Sequence, residues 1–121
     1  MQQKTLVHVM LLVLAVGGCS GKPPVDLDQC LSDLNSQDAV TRREAVKALG
    51  QLGEEGAVAV PALVRMLNDP NDDIRVSVAE SLGRIGPDAA IALPALEKAR
   101  KDKYGPVQEA AAEAIKRIKG S

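Results

Sequence analysis

The stretch that decides the fold is VPALVRMLNDPNDDIRVSVAESLGRIG, residues 60–86. Its apolar residues recur at helical spacing on both sides of a turn at residues 68–72, where Pro70 disfavours helical geometry just before it. The stretch therefore predicts a short helix, a tight turn and a longer second helix.

The same helix pair recurs on both sides of this stretch. Val60-Pro61-Ala62-Leu63 aligns with Leu93-Pro94-Ala95-Leu96, and Gly83-Arg84-Ile85-Gly86 aligns with Gly50-Gln51-Leu52-Gly53. Both alignments use the same offset and need no insertion. The sequence therefore predicts three copies of one repeat, at residues 27–59, 60–92 and 93–121.

One apolar face runs through the three predicted second helices. Equivalent positions follow each other at steps of four, three, one and three residues, which trace one side of an α-helix. These columns are Thr41/Ile74/Val107, Ala45/Val78/Ala111, Ala48/Ser81/Ala114, Leu49/Leu82/Ile115 and Leu52/Ile85/Ile118. Leu34 and Leu67 are the matching apolar positions of the first helices. We therefore expect an all-α fold with a single core seam shared by the copies.

Turn and cap residues agree with helix pairs. In copy one, Asp38 can cap the second helix. In copy two the same role falls to side chains of the turn Asn68-Asp69-Pro70-Asn71-Asp72, whereas copy three has Gly105-Pro106 at this point. Gly53 and Gly86 stand where a helix end needs a residue in the left-handed region.

The two outer copies replace apolar residues of the middle copy with polar ones. Asp28 stands in place of Pro61, and Glu97 stands in place of Val64. Terminal repeats of a stacked array need polar outer faces because no neighbour covers them. We therefore expect a three-repeat module that is capped at both ends.

The first residues of the chain have the pattern of a targeting segment. One positive charge in residues 1–4 precedes an apolar run at residues 6–16, which is too short to span a bilayer. The following Val-Gly-Gly-Cys resembles the lipobox of bacterial lipoprotein signal peptides. The resemblance implies a signal peptide at residues 1–18, a lipid on Cys19 and a tether over residues 19–26. The alternative is an ordinary secretory signal that ends near a cysteine.

Several short motifs resemble the HEAT-like repeat first described in phycobilisome lyases. They are Val60-Pro61-Ala62-Leu63, Asn68-Asp69-Pro70, Ile74-Arg75, Ala79-Glu80-Ser81-Leu82-Gly83 and Ile85-Gly86. The resemblance implies a short α-solenoid of three helix pairs over residues 27–121, with the second helices along a concave side. Proteins with such repeats include chromophore lyases, a metal-dependent hydroxylase and many binding scaffolds. The resemblance is therefore specific for the fold and leaves the function open.

The residue types argue against an enzyme. The only histidine, His8, lies in the predicted signal peptide, so the His-Glu ligand pairs of the HEAT-repeat hydroxylase have no counterpart. The sequence has no nucleophile-and-base arrangement, no zinc-ligand spacing and no phosphate-binding glycine loop. We expect no catalytic residues, no metal and no cofactor. The alternative is an enzyme or an enzyme accessory similar to the HEAT-like chromophore lyases.

By the same resemblance, three columns of second-helix residues line the concave side: Arg43/Val76/Glu109, Lys47/Glu80/Glu113 and Gln51/Arg84/Arg117. Along the first two columns the charge changes from positive to negative, and such a surface can orient a charged partner. The expected partner-binding residues are Arg43, Lys47, Val76, Glu80, Arg84, Glu109 and Glu113. The alternative is an ordinary solvated helix face. Val76, Ala79 and Gly83 either accept a partner's side chain or pack between neighbouring helices.

The predicted function is a lipid-anchored, non-enzymatic scaffold or assembly factor of the bacterial envelope that binds an unknown protein partner. The predicted location is extracytoplasmic, and Ser20 after Cys19 favours the periplasmic face of the outer membrane in a Gram-negative host. Nucleic acid is not an expected partner, because the net charge is −1 and Tyr104 is the only aromatic side chain for stacking. We expect a monomer. A mainly structural envelope protein is a third alternative.

Overall fold

Three helix pairs follow one another through residues 25–120, the part of the chain that this computed structural model describes. The pairs are α1 (Leu27–Asp33) with α2 (Ala39–Gln51), α3 (Val60–Met66) with α4 (Asp72–Ile85), and α5 (Leu93–Ala99) with α6 (Gly105–Lys119). Two 3₁₀ segments, Gly53–Ala59 and Gly86–Ala92, connect the pairs. The described residues contain no strand, and the predicted all-α stack of helix pairs is confirmed.

The predicted signal peptide and Cys19, the predicted site of lipid attachment, lie outside the described residues. Between residues 25 and 120, none of the helices combines the length and the apolar character needed to cross a membrane.

The second helices begin as the turn residues predict. The Asp38 carboxylate accepts a hydrogen bond from the Thr41 backbone N–H at 3.2 Å. The Asn71 side chain accepts two backbone N–H groups from the first turn of α4, at 2.9 and 3.2 Å. Helix α6 has no side-chain cap and carries Pro106 in its first turn. A cap of this kind stabilises a helix by about 1 kcal/mol, so the turns help to fix where each second helix starts.

The glycines that follow α2 and α4 have positive φ angles, as their positions predict. Gly53 has φ 58°, and Gly86 has φ 84° with ψ −148°, a combination that residues with a side chain rarely adopt. The chain after each glycine forms a 3₁₀ segment, which the sequence pattern did not predict. Each segment carries the chain from the end of a second helix to the next first helix.

The core lies between the second helices and the first helices that cover them. Helix α4 packs against α2 on one side and α6 on the other. The side chains with 0% exposure include Val46, Leu49, Leu63, Val78, Leu82, Leu96 and Val107. The predicted seam is therefore confirmed along most of its length. Thr41, Ala48 and Leu52, which the pattern also placed in the seam, are half-buried.

Small residues let the second helices approach each other closely. A Cβ atom on Gly50 would lie 2.5 Å from Ser81 Oγ and 2.8 Å from Ser81 Cα. A Cβ atom on Gly83 would lie 3.1 Å from the Cα of Ala114. Gly83 and Ala114 are the repeat equivalents of Gly50 and Ser81, so the α4–α6 contact repeats the α2–α4 contact. The buried Ser81 hydroxyl donates to the Val46 carbonyl at 2.8 Å, which satisfies this polar group inside the seam.

Arginine–aspartate bridges join each repeat to the next. Arg42 donates from Nε and Nη2 to the Asp69 carboxylate, at 3.0 and 3.3 Å. Arg75 donates from Nε and Nη2 to the Asp102 carboxylate, at 2.9 and 3.1 Å. The Arg75–Asp102 bridge is the repeat equivalent of the Arg42–Asp69 bridge. The side chains of Arg75 and Asp102 are only 8% and 14% exposed, so water screens this two-bond contact weakly.

The same two arginines also hold the turn of their own repeat. Nη1 of each donates to the backbone carbonyl six residues earlier, at 2.8 Å in both cases. In the third repeat Gln108 takes the arginine position, and its amide donates to the equivalent carbonyl. In the first repeat Ser36 takes the position of the bridging aspartate. The bond within a repeat is therefore made three times and the bridge between repeats twice.

We expect Gly50→Ala to destabilise the fold, because the new methyl group would overlap the backbone of Ser81 on the neighbouring helix. Overpacking of this kind costs about 1–3 kcal/mol of unfolding free energy. Urea unfolding followed by circular dichroism measures the loss. Gly105→Ala is the matched control, because no atom lies within 4 Å of its added Cβ. Equal stability of the Gly50 and Gly105 variants would contradict the close helix contact.

The Arg75–Asp102 bridge should make stability depend on acid pH. The hydrogen bonds from Arg75 hold the pKa of Asp102 below its usual range. The bridge therefore contributes fully above the ordinary aspartate pKa of about 3.9, and its contribution is lost as the pH falls through the lower pKa of the folded state. We expect Asp102→Asn to be less stable at pH 7 by about 1–2 kcal/mol. Its stability should also fall less between about pH 5 and pH 3 than that of the unchanged protein.

Urea midpoints measured across this pH range test the expectation. Glu97→Gln is the control, because the Glu97–Arg100 ion pair is about half exposed on both sides, at 48% and 54%. Such surface pairs contribute little to stability, so this variant should keep the pH dependence of the unchanged protein. If Asp102→Asn also keeps that dependence, the bridge does not control acid stability.

Candidate functional site

The exposed sides of α2, α4 and α6 form one surface, which we call the second-helix face. The core seam occupies one side of each helix, so residues three and four apart on the other side reach water. The exposed charged residues of this face are Lys47, Glu80, Arg84, Glu109, Glu113 and Arg117. Arg43 and Val76, which belong to the same columns, are half-buried. The bridges and the small-residue contacts between the helices set the register of these columns.

A shallow hollow of about 200 Å³ lies between α4 and α6 on this face. Its polar lining consists of two carboxylates and two guanidinium groups, from Glu80, Glu113, Arg84 and Arg117. Its remaining lining consists of small residues, Gly83, Ala110 and Ala114. The hollow is smaller than the roughly 300–1,000 Å³ typical of small-molecule sites. It therefore suits the ends of side chains better than a cofactor.

The charged groups that line this hollow form few ion pairs with one another. The Nε atom of Arg117 lies 3.5 Å from Oε1 of Glu113, and both side chains are 57% exposed. This ion pair therefore contributes little to stability. Glu80 and Arg84 occupy the equivalent positions one repeat earlier, yet among residues 25–120 neither forms a salt bridge. The hollow is therefore formally neutral and keeps both kinds of charge available to another molecule.

Arg43 lies at a second, smaller hollow of about 100 Å³ near the start of α2 and α4. Its Nε atom is buried and has no hydrogen-bond partner within the part of the chain that the structure describes. A buried donor without an acceptor costs free energy. Val40, which is 56% exposed, lines the same hollow. This end of the face thus offers one cation beside an apolar side chain.

The structure brings some of the predicted binding residues together and leaves others apart. Glu80, Arg84 and Glu113 share the larger hollow, whereas Arg43 lies at the smaller one. Lys47 and Glu109 are exposed on α2 and α6 and line neither hollow. The role in binding of all the predicted residues stays a prediction.

The apolar patch predicted for this face is mostly unavailable to a partner. Ala79 is 0% exposed, and the buried Gly83 packs against Ala114 of the next helix. Packing between neighbouring helices is therefore the alternative that the structure supports for Ala79, whereas Gly83 packs against Ala114 and also lines the larger hollow. Val76 is half-buried and is the member of the patch that keeps some accessible surface.

A third hollow lies on the first-helix side, between α3 and α5, with a volume of about 430 Å³. Its lining is mainly apolar and includes Ile91, which is 67% exposed, and one charged residue, Lys98. It offers contact area but little charge with which to select a partner. The second-helix face is therefore the surface with the more specific chemistry.

Two observations concern metal binding and the one thiol among the described residues. Between residues 25 and 120, no group of three or more histidine, cysteine, aspartate or glutamate side chains could hold a metal ion. Cys30 is a free, half-buried thiol on α1, and burial followed by the charges of Asp33 and Asp26 raises its pKa. A raised pKa keeps the thiol protonated at neutral pH, which makes it a poor nucleophile.

The residues that hold this face in place were not assigned from the sequence. Arg42, Arg75, Asp69 and Asp102 carry the bridges, and each looks in isolation like an ordinary charged residue near a helix start. The available signal was their spacing, since the two arginines are separated by one repeat and so are the two aspartates.

Residues 27–116 match the sequence profile of the family described as HEAT repeats. The match agrees with the repeated helix pairs and their common spacing. No curated protein matches the chain. The narrower resemblances, to phycobilisome lyases and to bacterial lipoproteins, stay predictions.

Proposed function

Because the chain belongs to the HEAT-repeat family, we propose that it is a non-enzymatic scaffold that binds a protein partner through the second-helix face. A lipid on Cys19 holds it on the extracytoplasmic side of a bacterial membrane in this proposal. Stacked helical repeats commonly use the extended surface along one set of helices for protein binding.

The observation that carries the proposal is the hollow between α4 and α6. It presents two carboxylates and two guanidinium groups around a lining of small residues, and these charges are only weakly paired with each other. A protein partner with complementary charges would pair with all four groups. Charged rims of this kind favour fast and selective association more than high affinity.

The rigidity of the face supports the same function. The bridges between repeats and the closely packed small residues fix α2, α4 and α6 relative to one another. A partner that binds a surface already in place does not have to supply the free energy for ordering it. This suits a scaffold that presents a constant pattern of charges.

The membrane location rests on the sequence. The apolar run at residues 6–16 and the Val-Gly-Gly-Cys that follows support lipid attachment at Cys19. The first described helix starts at Leu27, eight residues after Cys19. At roughly 3.3 Å per residue, this linker reaches at most about 26 Å. The second-helix face would therefore work on partners at or near the membrane surface.

We expect a photo-crosslinking residue at Glu80 to give a discrete crosslinked product in native membranes. Glu80 lies at the centre of the second-helix face, so a partner seated there is within reach of the probe. Arg65, exposed on α3, is the matched control and should give no product. Mass spectrometry of the product identifies the partner. If neither position gives a product while the protein is abundant in the membrane, the face does not bind a protein.

We expect Cys19→Ser to remove the lipid and release the protein from the membrane fraction, because serine has no thiol to acylate. Metabolic labelling with an alkyne fatty acid measures the modification, and fractionation measures the location. Cys30→Ser is the control, because Cys30 lies in the folded domain and should not carry lipid. Unchanged labelling of the Cys19 variant would contradict the anchor and favour an ordinary secretory signal.

A further inference from the structure

We propose that the hollow between α4 and α6 receives two side chains of a partner α-helix, one basic and one acidic, that lie one turn apart on that helix. This inference rests on the proposed function, since it describes the partner of the same face. It is drawn from how the four charges of the hollow are arranged.

The charges form two rows of like sign. Glu80 and Glu113 are equivalent positions of successive repeats, so they occupy the same level on neighbouring second helices, and Arg84 and Arg117 do the same one turn later. Four residues of α-helix rise about 6 Å, which is the separation between the rows along the helix direction. The hollow therefore has a negative row and a positive row, separated by roughly one helical turn.

Among residues 25–120, no salt bridge places an opposite charge between the two members of either row. Two carboxylates that line one hollow repel each other, and a cation placed between them is attracted by both. A carboxylate placed between two guanidinium groups can accept hydrogen bonds from both forks. The weak Glu113–Arg117 contact, at 3.5 Å, is easily exchanged for these pairings. The complementary group is therefore one cation and one carboxylate, held about 6 Å apart.

A helix provides this pair in the right form. Side chains at positions i and i+4 lie on one face and are separated by about 6 Å of rise, which matches the two rows. The hollow lies between α4 and α6, and an amphipathic helix can dock its side chains into a groove of this kind. Because Gly83, Ala110 and Ala114 line it with small side chains, the ends of the partner's charged residues have room to enter.

The polarity of the partner pair is set by the rows. The basic side chain meets Glu80 and Glu113, and the acidic side chain meets Arg84 and Arg117. A partner helix that runs parallel to α4 carries the basic residue first, and an antiparallel helix carries the acidic residue first. A helix with two basic or two acidic residues at these positions meets one row of like charge and is disfavoured.

Alanine-based helical peptides test this directly on the full chain in detergent micelles. One peptide carries Arg and Glu at positions i and i+4, a second carries the same pair in reverse order, and two others carry Arg/Arg and Glu/Glu. The backbone amide NMR signals of Gly83 and Ala114 report binding at the hollow. We expect at least one mixed-charge peptide to bind about tenfold more tightly than both like-charge peptides, since two favourable surface pairs replace one favourable and one repulsive contact.

A double variant, Arg84→Glu with Arg117→Glu, makes all four charges negative and should transfer the preference to the Arg/Arg peptide. The control is Arg65→Glu with Lys98→Glu, which changes the net charge equally at exposed positions outside the hollow. The control should keep the preference for the mixed pair. Circular dichroism checks that both variants stay folded.

Equal binding of all four peptides would overturn the inference, as would the same change of preference in the control variant. A crosslinked product from Glu80 combined with no peptide selectivity would reject the charge-pair partner and leave the scaffold function standing. Selective peptide binding without any crosslinked product in membranes would support the chemistry of the hollow and count against the proposed function in that membrane.

Discussion

Two arginines, Arg42 and Arg75, each hold two turns of the structure at once. A guanidinium group presents its donors in a rigid fork, so the directions of its hydrogen bonds are fixed. Here one nitrogen bonds a carbonyl in the turn of its own repeat, and two others bond a carboxylate in the turn of the next repeat. The apolar seam alone would tolerate some sliding of one helix past another, because hydrophobic contact has no direction. The directional hydrogen bonds of the arginines prevent this sliding, and the alignment of the columns on the second-helix face depends on them.

The small residues of the seam complement the arginines. The bridges set the level of each repeat, and the contacts Gly50–Ser81 and Gly83–Ala114 set how near the helices come. Both features recur at equivalent positions of successive repeats, so the geometry of one interface is copied into the next. The exposed charges can then differ between repeats without disturbing the frame that carries them. This separation of frame and surface explains how the face combines both signs of charge at equivalent positions.

The sequence predicted the parts of this structure that depend on periodicity and on local turn chemistry. The helix pairs, the capping side chains Asp38 and Asn71, and the glycine stops are confirmed, because each follows from a few neighbouring residues. The bridges were not predicted, because an arginine beside a core position has the same local pattern whether it is exposed or paired across repeats. The columns of the face followed from the repeat, but the hollow did not, since its depth depends on the distance between α4 and α6. For the same reason the burial of Ala79 became clear only from the packing.

Ser36 and Gln108 mark the positions where the bridge between repeats stops. Each keeps its local role in the turn, but Ser36 has no carboxylate for a preceding arginine and Gln108 has no guanidinium for a following aspartate. Within residues 25–120 two bridges join the repeats, and the side chains at positions 36 and 108 set that number separately from the apolar core. Addition of a fourth helix pair after α6 with the same bridge would require arginine at position 108 and an aspartate in the new turn. Grafting a pair at the other end would need aspartate at position 36.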